Sequence, residues 1–174
     1  MDRLHFEKIN YHDRENLVKI IRIIENVFSE NTVGVKKTKA LAAELSEMIE
    51  ALSPFIQQHT DAVCTACQKV CCINRHSYHD HEDIVYILAL GEKLPPYKDG
   101  IDDKEPCRFL GNGGCTISRS QRPYRCNWFF CTPLLEHIKN ISAPRYRKFI
   151  ASLEQITRKR ENLMNEFAEI VKKI

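Results

Sequence analysis

A chain of 174 residues with a net charge of +3 has room for one domain with its own core and is too short for two of ordinary size. Its 43% apolar and 28% charged residues mark a globular protein rather than a disordered one, and the charge is too mild to point to nucleic acid as a partner. The first sixteen residues are studded with charges and lack the apolar centre of a secretory signal, and no segment offers the roughly 20 uninterrupted apolar residues of a membrane span. The expectation is a cytoplasmic protein with no membrane partner.

In chain order, the first periodic segment runs from Asp13 to Ser29, where Leu17, Ile20, Ile21, Ile24, Val27 and Phe28 recur at the spacing of one helical face, with Asp13 as N-cap. Ser29 to Gly34 breaks it, and Asn31 or Thr32 can cap the next helix. That helix is expected from about Val35 towards Gln58, with Leu41, Leu45, Met48, Ile49, Leu52 and Ile56 on one side. Pro54 removes a backbone donor and should kink it or end it early. A third helix is expected from His81 to Leu90, stopped by Gly91, and the text from Glu92 to Pro106 is loop chemistry. From Pro144 to Ile174 the apolar residues Tyr146, Phe149, Ile150, Leu153, Ile156, Leu163, Phe167, Ile170, Val171 and Ile174 return every three or four positions. The charges Arg158, Lys159, Arg160 and Glu161 between them read as that helix's solvated face.

The fold class is therefore all-α: a helical bundle with an inserted loop-rich region organised by cysteines. A single domain over 1–174 is expected, divided into an N-terminal helical hairpin over 1–62, a cysteine region over 63–135 and a long C-terminal helix over 136–174.

All eight cysteines fall in that insertion: Cys64, Cys67, Cys71 and Cys72 in a C-x2-C-x3-C-C knot, then Cys107, Cys115, Cys126 and Cys131. Reducing conditions in the cytosol argue against a disulfide framework. Paired thiolates two residues apart are the recurring half-site of structural zinc and of many iron–sulfur centres, so all eight are candidate metal ligands. Cys71 and Cys72 are adjacent, and neighbouring side chains tend to point apart. They serve different centres, or one ligates and the other packs as a small hydrophobe. Gly111, Gly113 and Gly114 let the backbone turn tightly enough to bring Cys107 and Cys115 together. Two further clusters stand nearby. His76, His79 and His81 with Asp80, Glu82 and Asp83 offer a nitrogen and oxygen site, against which stands the plainer reading of acids at a helix N-terminus and solvated histidines. Arg119, Arg122 and Arg125, beside Tyr124, Trp128, Phe129 and Phe130, can bind anions or stack bases. They can equally neutralise thiolate-bound metal while the rings shield it.

The segments CTACQKVCC and PCRFLGNGGCTISRSQRPYRCNWFFC resemble the YkgJ-type cysteine-cluster family of zinc- or iron-chelating domains. All eight cysteines and Arg122-Pro123 match its pattern. Ser118 stands where tyrosine is usual, and Asn127 and Trp128 depart where an arginine and its neighbour would lie. The resemblance covers about residues 63–132, and it extends distantly to the cluster region of flagellin lysine N-methylases, whose chains are much longer. It implies zinc or an iron–sulfur cluster, a four-iron four-sulfur centre included, and a link to protein modification. The radical-SAM spacing C-x3-C-x2-C is excluded, because Asn74 stands where its third cysteine belongs.

Taken together the sequence predicts a metal-binding protein that chelates zinc or an iron–sulfur cluster through clustered cysteines, in a redox, metal-handling or protein-modification role. The alternative is a zinc-stapled interaction module presenting its aromatic, arginine-rich loop to a protein or nucleic acid. No catalytic triad, phosphate loop or dinucleotide fingerprint argues for an enzyme.

Overall fold

The computed structural model describes residues 9, 11, 13–30, 32–68, 70–96, 100–140 and 142–173; the candidate cap Asn31, the loop residues Lys98 and Asp99, and Ile174 lie outside them. Among the described residues six α-helices and one two-stranded hairpin form an all-α architecture: α1 (Arg14–Ser29), α2 (Val33–Cys64), α3 (His81–Ala89), β1 (Leu110–Gly111), β2 (Gly114–Cys115), α4 (Arg125–Trp128), α5 (Thr132–Lys139) and α6 (Ala143–Val171).

The caps are those the sequence offers. Asp13 Oδ1 accepts from Asn16 N at 3.0 Å, and Thr32 Oγ1 accepts from Val35 N at 3.2 Å, each satisfying a donor that the first helical turn leaves without an internal partner. Pro54 does not end α2, which continues to Cys64, ten residues past the proline. Its missing N–H costs one bond in a helix that packing on both sides already holds. The cysteine region therefore starts on a rigid helix end rather than in a loop.

Contacts between α2 and α6 fix their relative direction. A Cβ on Gly34 would meet Ile170, Lys37 pairs with Glu166, Lys159 pairs with Glu44 at 2.5 Å, and the rings of Phe55 and Phe149 stand 5.0 Å apart. As one number rises the other falls, so the two long helices run antiparallel along almost their whole length. The helix α1 packs mainly on α3. Two apolar clusters lie along this spine. The larger joins α1, α2, α3 and α6 and contains Ile24, Leu45, Ile84 and Leu163; the smaller contains Ile56, Leu134, Ile138 and Phe149, with Val63, Phe130 and Cys131 packed on it. The second cluster seats α5 against α2, directly behind Cys131.

One charge does not follow the solvated-face reading of α6. Arg160 is only 5% exposed. It stands at the apolar spacing of Ile156, Leu163 and Phe167, and it reaches across to the N-terminus of α3. There Asp80 caps the helix and forms a reciprocal capping box with Asp83. Arg160 Nη2 lies 2.9 Å from Asp80, 3.0 Å from Asp83 and 3.2 Å from Glu82, and its guanidinium covers the ring of Tyr124 at 4.3 Å. Burial pulls its pKa down but Asp83, Asp80 and Glu82 raise it further. Burial pushes the Asp83 carboxyl up to about 7 against the pull of Arg160. The two shifts oppose one another. The Asp83 oxygens accept from Arg160, from Tyr124 N and from Asp80 N, so the ion pair is the better-satisfied state.

Candidate metal centre

Each part of the insertion is tied to a neighbour by hydrogen bonds rather than by apolar burial. Asn74, fully buried, receives Arg108 Nε on its side-chain oxygen at 3.0 Å and donates Nδ2 to Ile101 O at 2.9 Å. Its own N–H donates to Glu105 O at 2.8 Å, and Arg75 N donates to Asp103 O at 3.0 Å. The second half of the 92–106 loop is thus strapped to the segment after Cys72. His79 is buried and lies 2.8 Å from Gln121 O through Nε2; burial lowers its pKa to about 4, so the ring is neutral and Nε2–H donates. Ser120 N donates to Glu50 Oε1 at 2.7 Å and Arg119 Nε to Ser53 Oγ at 3.3 Å, docking the arginine-rich turn on α2 beside Pro54.

These links gather the thiols. No disulfide joins any of the eight. Cys64 is the last residue of α2, and Cys67 N donates back to Cys64 O at 3.2 Å. Cys131 stands at the N-cap of α5, which packs on α2, and its thiol is near enough to Cys71 to lower the Cys71 pKa. On the other side, Cys107 N donates to Cys72 O at 2.9 Å beside an antiparallel bridge between Ile73 and Pro106. The hairpin pairs Leu110 with Cys115 and Gly111 with Gly114. Gly114 takes φ +102, a conformation side chains rarely adopt, so the tight glycine turn expected between Cys107 and Cys115 is present. Cys126 lies in α4, its carbonyl accepting from Arg119 Nη1 at 3.3 Å.

Charge follows the same grouping. Burial raises the Cys64 thiol, and the neighbouring Cys71, Cys131 and Cys67 raise it further. Cys126 is pushed up to about 12 by burial, then by Cys115 and Cys107, with Arg122 pulling the other way. The adjacent Cys71 and Cys72 thiols act on one another in opposite directions, lowering the first and raising the second, the direction that favours a Cys71 thiolate. Arg125 favours that thiolate, and its guanidinium lies 4.4 Å from the Phe129 ring. Among the described residues no three His, Cys, Asp or Glu side chains yet converge on one point as the ligands of an ion do. The donor set itself, eight thiols with arginines beside them, suits a thiolate-preferring metal such as zinc or iron.

Other sequence candidates separate. The three acids beside His79 and His81 converge on Arg160, as befits a helix N-terminus, but the histidines are not solvated: His79 is buried and His81 half-buried. His76 Nδ1 lies 3.1 Å from Cys71 O. The aromatics also divide. Tyr124 hydrogen-bonds Thr157 at 2.7 Å and Phe130 packs edge-on to Phe149 at 5.2 Å, whereas Trp128 and Phe129 are 47% and 38% exposed and shield little from water. Asn74, Ser77 and Arg108 were not legible as a network, because single polar residues in a loop carry no periodic signal. No helix is long and apolar enough to cross a membrane among the described residues. No protein-family model, curated protein or solved structure matches this chain.

Proposed function

We propose that this chain is a metalloprotein whose clustered cysteines chelate zinc or an iron–sulfur cluster, with the helices as scaffold and a redox, metal-handling or protein-modification role. The observation that carries the reading is the gathering of thiols from six separate places, the end of α2, the knot after it, the bridge at Pro106, the hairpin, α4 and the start of α5, without a disulfide. Apolar burial gives no reason for that gathering, and uncompensated thiols crowd one another's ionisation upward. A bound cation reverses the sign of that interaction. The likeness of the cysteine pattern to the YkgJ-type family belongs to the same proposal. When bound, the metal would cross-link the loops and, as an iron–sulfur cluster, carry an electron. The chain's own residues would supply the thiolates, and Arg119, Arg122 and Arg125 would offset their charge.

Protein purified without oxygen should carry tightly held metal, colourless if zinc and broadly absorbing with labile sulfide if iron–sulfur. A fully folded, metal-free chain from metal-replete cells would sink the proposal.

A second reading has one observation in its favour, the exposed Trp128 and Phe129 flanking Arg125. Such rings suit the core of a protein interface. If Trp128→Ala and Phe129→Ser keep metal and fold but abolish association with a partner, the interaction module gains over the redox or metal-handling role.

A further inference from the structure

We infer that the eight cysteines build two four-thiolate metal centres, Cys64, Cys67, Cys71 and Cys131 in one and Cys72, Cys107, Cys115 and Cys126 in the other, divided at the peptide bond between Cys71 and Cys72. The inference rests on the metalloprotein reading above and adds to it the number of centres and the owner of each ligand.

Backbone geometry separates the two sets. The first stands where two helices of the scaffold meet: Cys64 ends α2, Cys131 opens α5 against it, and a tight turn returns Cys67 to Cys64, with Cys71 close enough to feel the Cys131 thiol. The second is built wholly from the insertion. The strand-like bridge at Ile73 and Pro106 sets Cys107 beside Cys72, the β1–β2 hairpin returns Cys115, and Arg119 holds the α4 backbone at Cys126. The thiols felt most strongly by Cys64 are Cys71, Cys131 and Cys67, whereas Cys72 feels Cys126 and Cys107 next after its neighbour, and Cys126 feels Cys115 and Cys107. The peptide bond between Cys71 and Cys72 is the link across the boundary. Loading both centres would release the remaining thiol protons to solvent, and each sulfur would then turn to the neighbours on its own side.

The arginines fall on the same division. Arg125 acts on Cys71, while Arg122 acts on Cys126 and Arg119 lies beside Cys126 and Cys115. A four-thiolate zinc centre carries two net negative charges. Two such centres joined through adjacent residues would repel unless each had its own cations.

Zinc(II) added to the reduced, metal-free full chain is the probe, with cobalt(II) giving the visible bands of tetrahedral thiolate coordination. About two ions per chain are expected, with sulfur-only coordination by X-ray absorption. Cys131→Ser and Cys115→Ser should each remove about one ion. The pair Cys64→Ser with Cys131→Ser should remove no more than Cys131→Ser alone, and Cys131→Ser with Cys115→Ser should remove both. Saturation of the unmodified chain at one ion overturns the division while leaving metal binding intact, and so does loss of both ions from a same-set pair that keeps its helical circular dichroism. Failure of the unmodified chain to bind either metal tightly overturns the metalloprotein reading itself. The unmodified chain's stoichiometry decides the matter even where a variant does not fold.

Discussion

The spine of the molecule and its insertion are held by opposite means. Along α1, α2, α3 and α6 most buried residues are apolar, with Ile24, Ile84, Leu45 and Leu163 at 0–1% exposure, and Thr38, His59, Asp83 and Arg160 are the polar exceptions among those described. Between Gly91 and Pro133 the buried apolar residues among those described are Phe109 and two prolines, Pro95 and Pro123, while Arg119, Ser120 and Asn127 are buried there, as Asn74, Ser77 and His79 are just before α3. The spine buries surface at about 25 cal/mol per Å². In the insertion each hydrogen bond nets only about 1 kcal/mol, because water would have made it too. A region built that way is weakly held by its own contacts, and it is the region that carries all eight thiols.

If the cysteines hold metal as proposed, removing it should break the comparison most sharply. Structural four-thiolate zinc contributes about 10–16 kcal/mol of apparent binding free energy, comparable to the whole stability of a domain. Under chelator and reductant, amide protection should vanish across 64–131 while the middles of α2 and α6 keep theirs. Hydrogen exchange followed by mass spectrometry reads both regions in one experiment. Uniform loss over the whole chain would mean that spine and insertion form a single cooperative unit.

The next effect tests the joint between them. Arg160 belongs to the spine, but its partners Asp80 and Asp83 begin α3, and Asp83 also receives the backbone N–H of Tyr124 at 3.1 Å. Arg160→Met should cost about 3–5 kcal/mol, since it leaves a buried carboxylate uncompensated. Asp83→Asn added to it should recover part of the loss in a denaturant titration. Recovery identifies the unpaired charge, rather than lost packing on Tyr124, as the source.

Legibility in the sequence follows the same contrast. The spine was readable, since helices that bury one face must repeat at 3.6 residues: α1, α3 and α6 begin within about a residue or two of where caps and spacing put them. What failed there failed for tertiary reasons. Pro54 was outweighed by packing, and Arg160 was grouped with its charged neighbours although its spacing already matched Ile156 and Leu163. In the insertion the cysteines and the glycine turn could be read, because their chemistry is local. The partners of Asn74, His79 and Arg119 could not, since each is set by a residue 27 to 66 positions away. The short α5 was missed because eight residues carry little periodicity.

His79 gives the insertion an acid limit. Its folded pKa of about 4 lies below the ordinary 6.5, so on acidification the unfolded chain takes up the proton first. The contribution is fully present above about pH 6.5 and is lost as pH falls to about 4, on the order of 3 kcal/mol by the bottom of that range. Asp80 and Arg108 face the same ring with opposite effects, and the Asp83–Arg160 ion pair lies nearby. The informative quantity is therefore the difference between the wild-type profile and that of His79→Gln, whose amide can still donate to Gln121 O. That difference should shrink steadily from pH 6.5 to pH 4.

The smallest effect carries the opposite sign and lies in the spine. His59 is 2% exposed and neither ring nitrogen has a hydrogen-bond partner among the described residues. Its ring stands edge-on to Phe55 at 4.5 Å and to His137 at 5.3 Å, beside the apolar cluster of Ile56 and Phe149. Burial, then the charges of His137 and Arg145, lower its pKa, so it too weakens the fold in acid. In an apolar region an unpartnered polar group costs about 1–3 kcal/mol. His59→Leu should therefore raise stability by about 1 kcal/mol after the imperfect fit of the new side chain is counted, with unchanged metal content. A loss of stability, or of one metal ion, would mean that the ring has a partner when the protein is loaded. His59 sits five residues before Cys64, so that partner would lie at the base of the first thiolate set, and the boundary between an apolar spine and a ligand-held insertion would move one helical turn into α2.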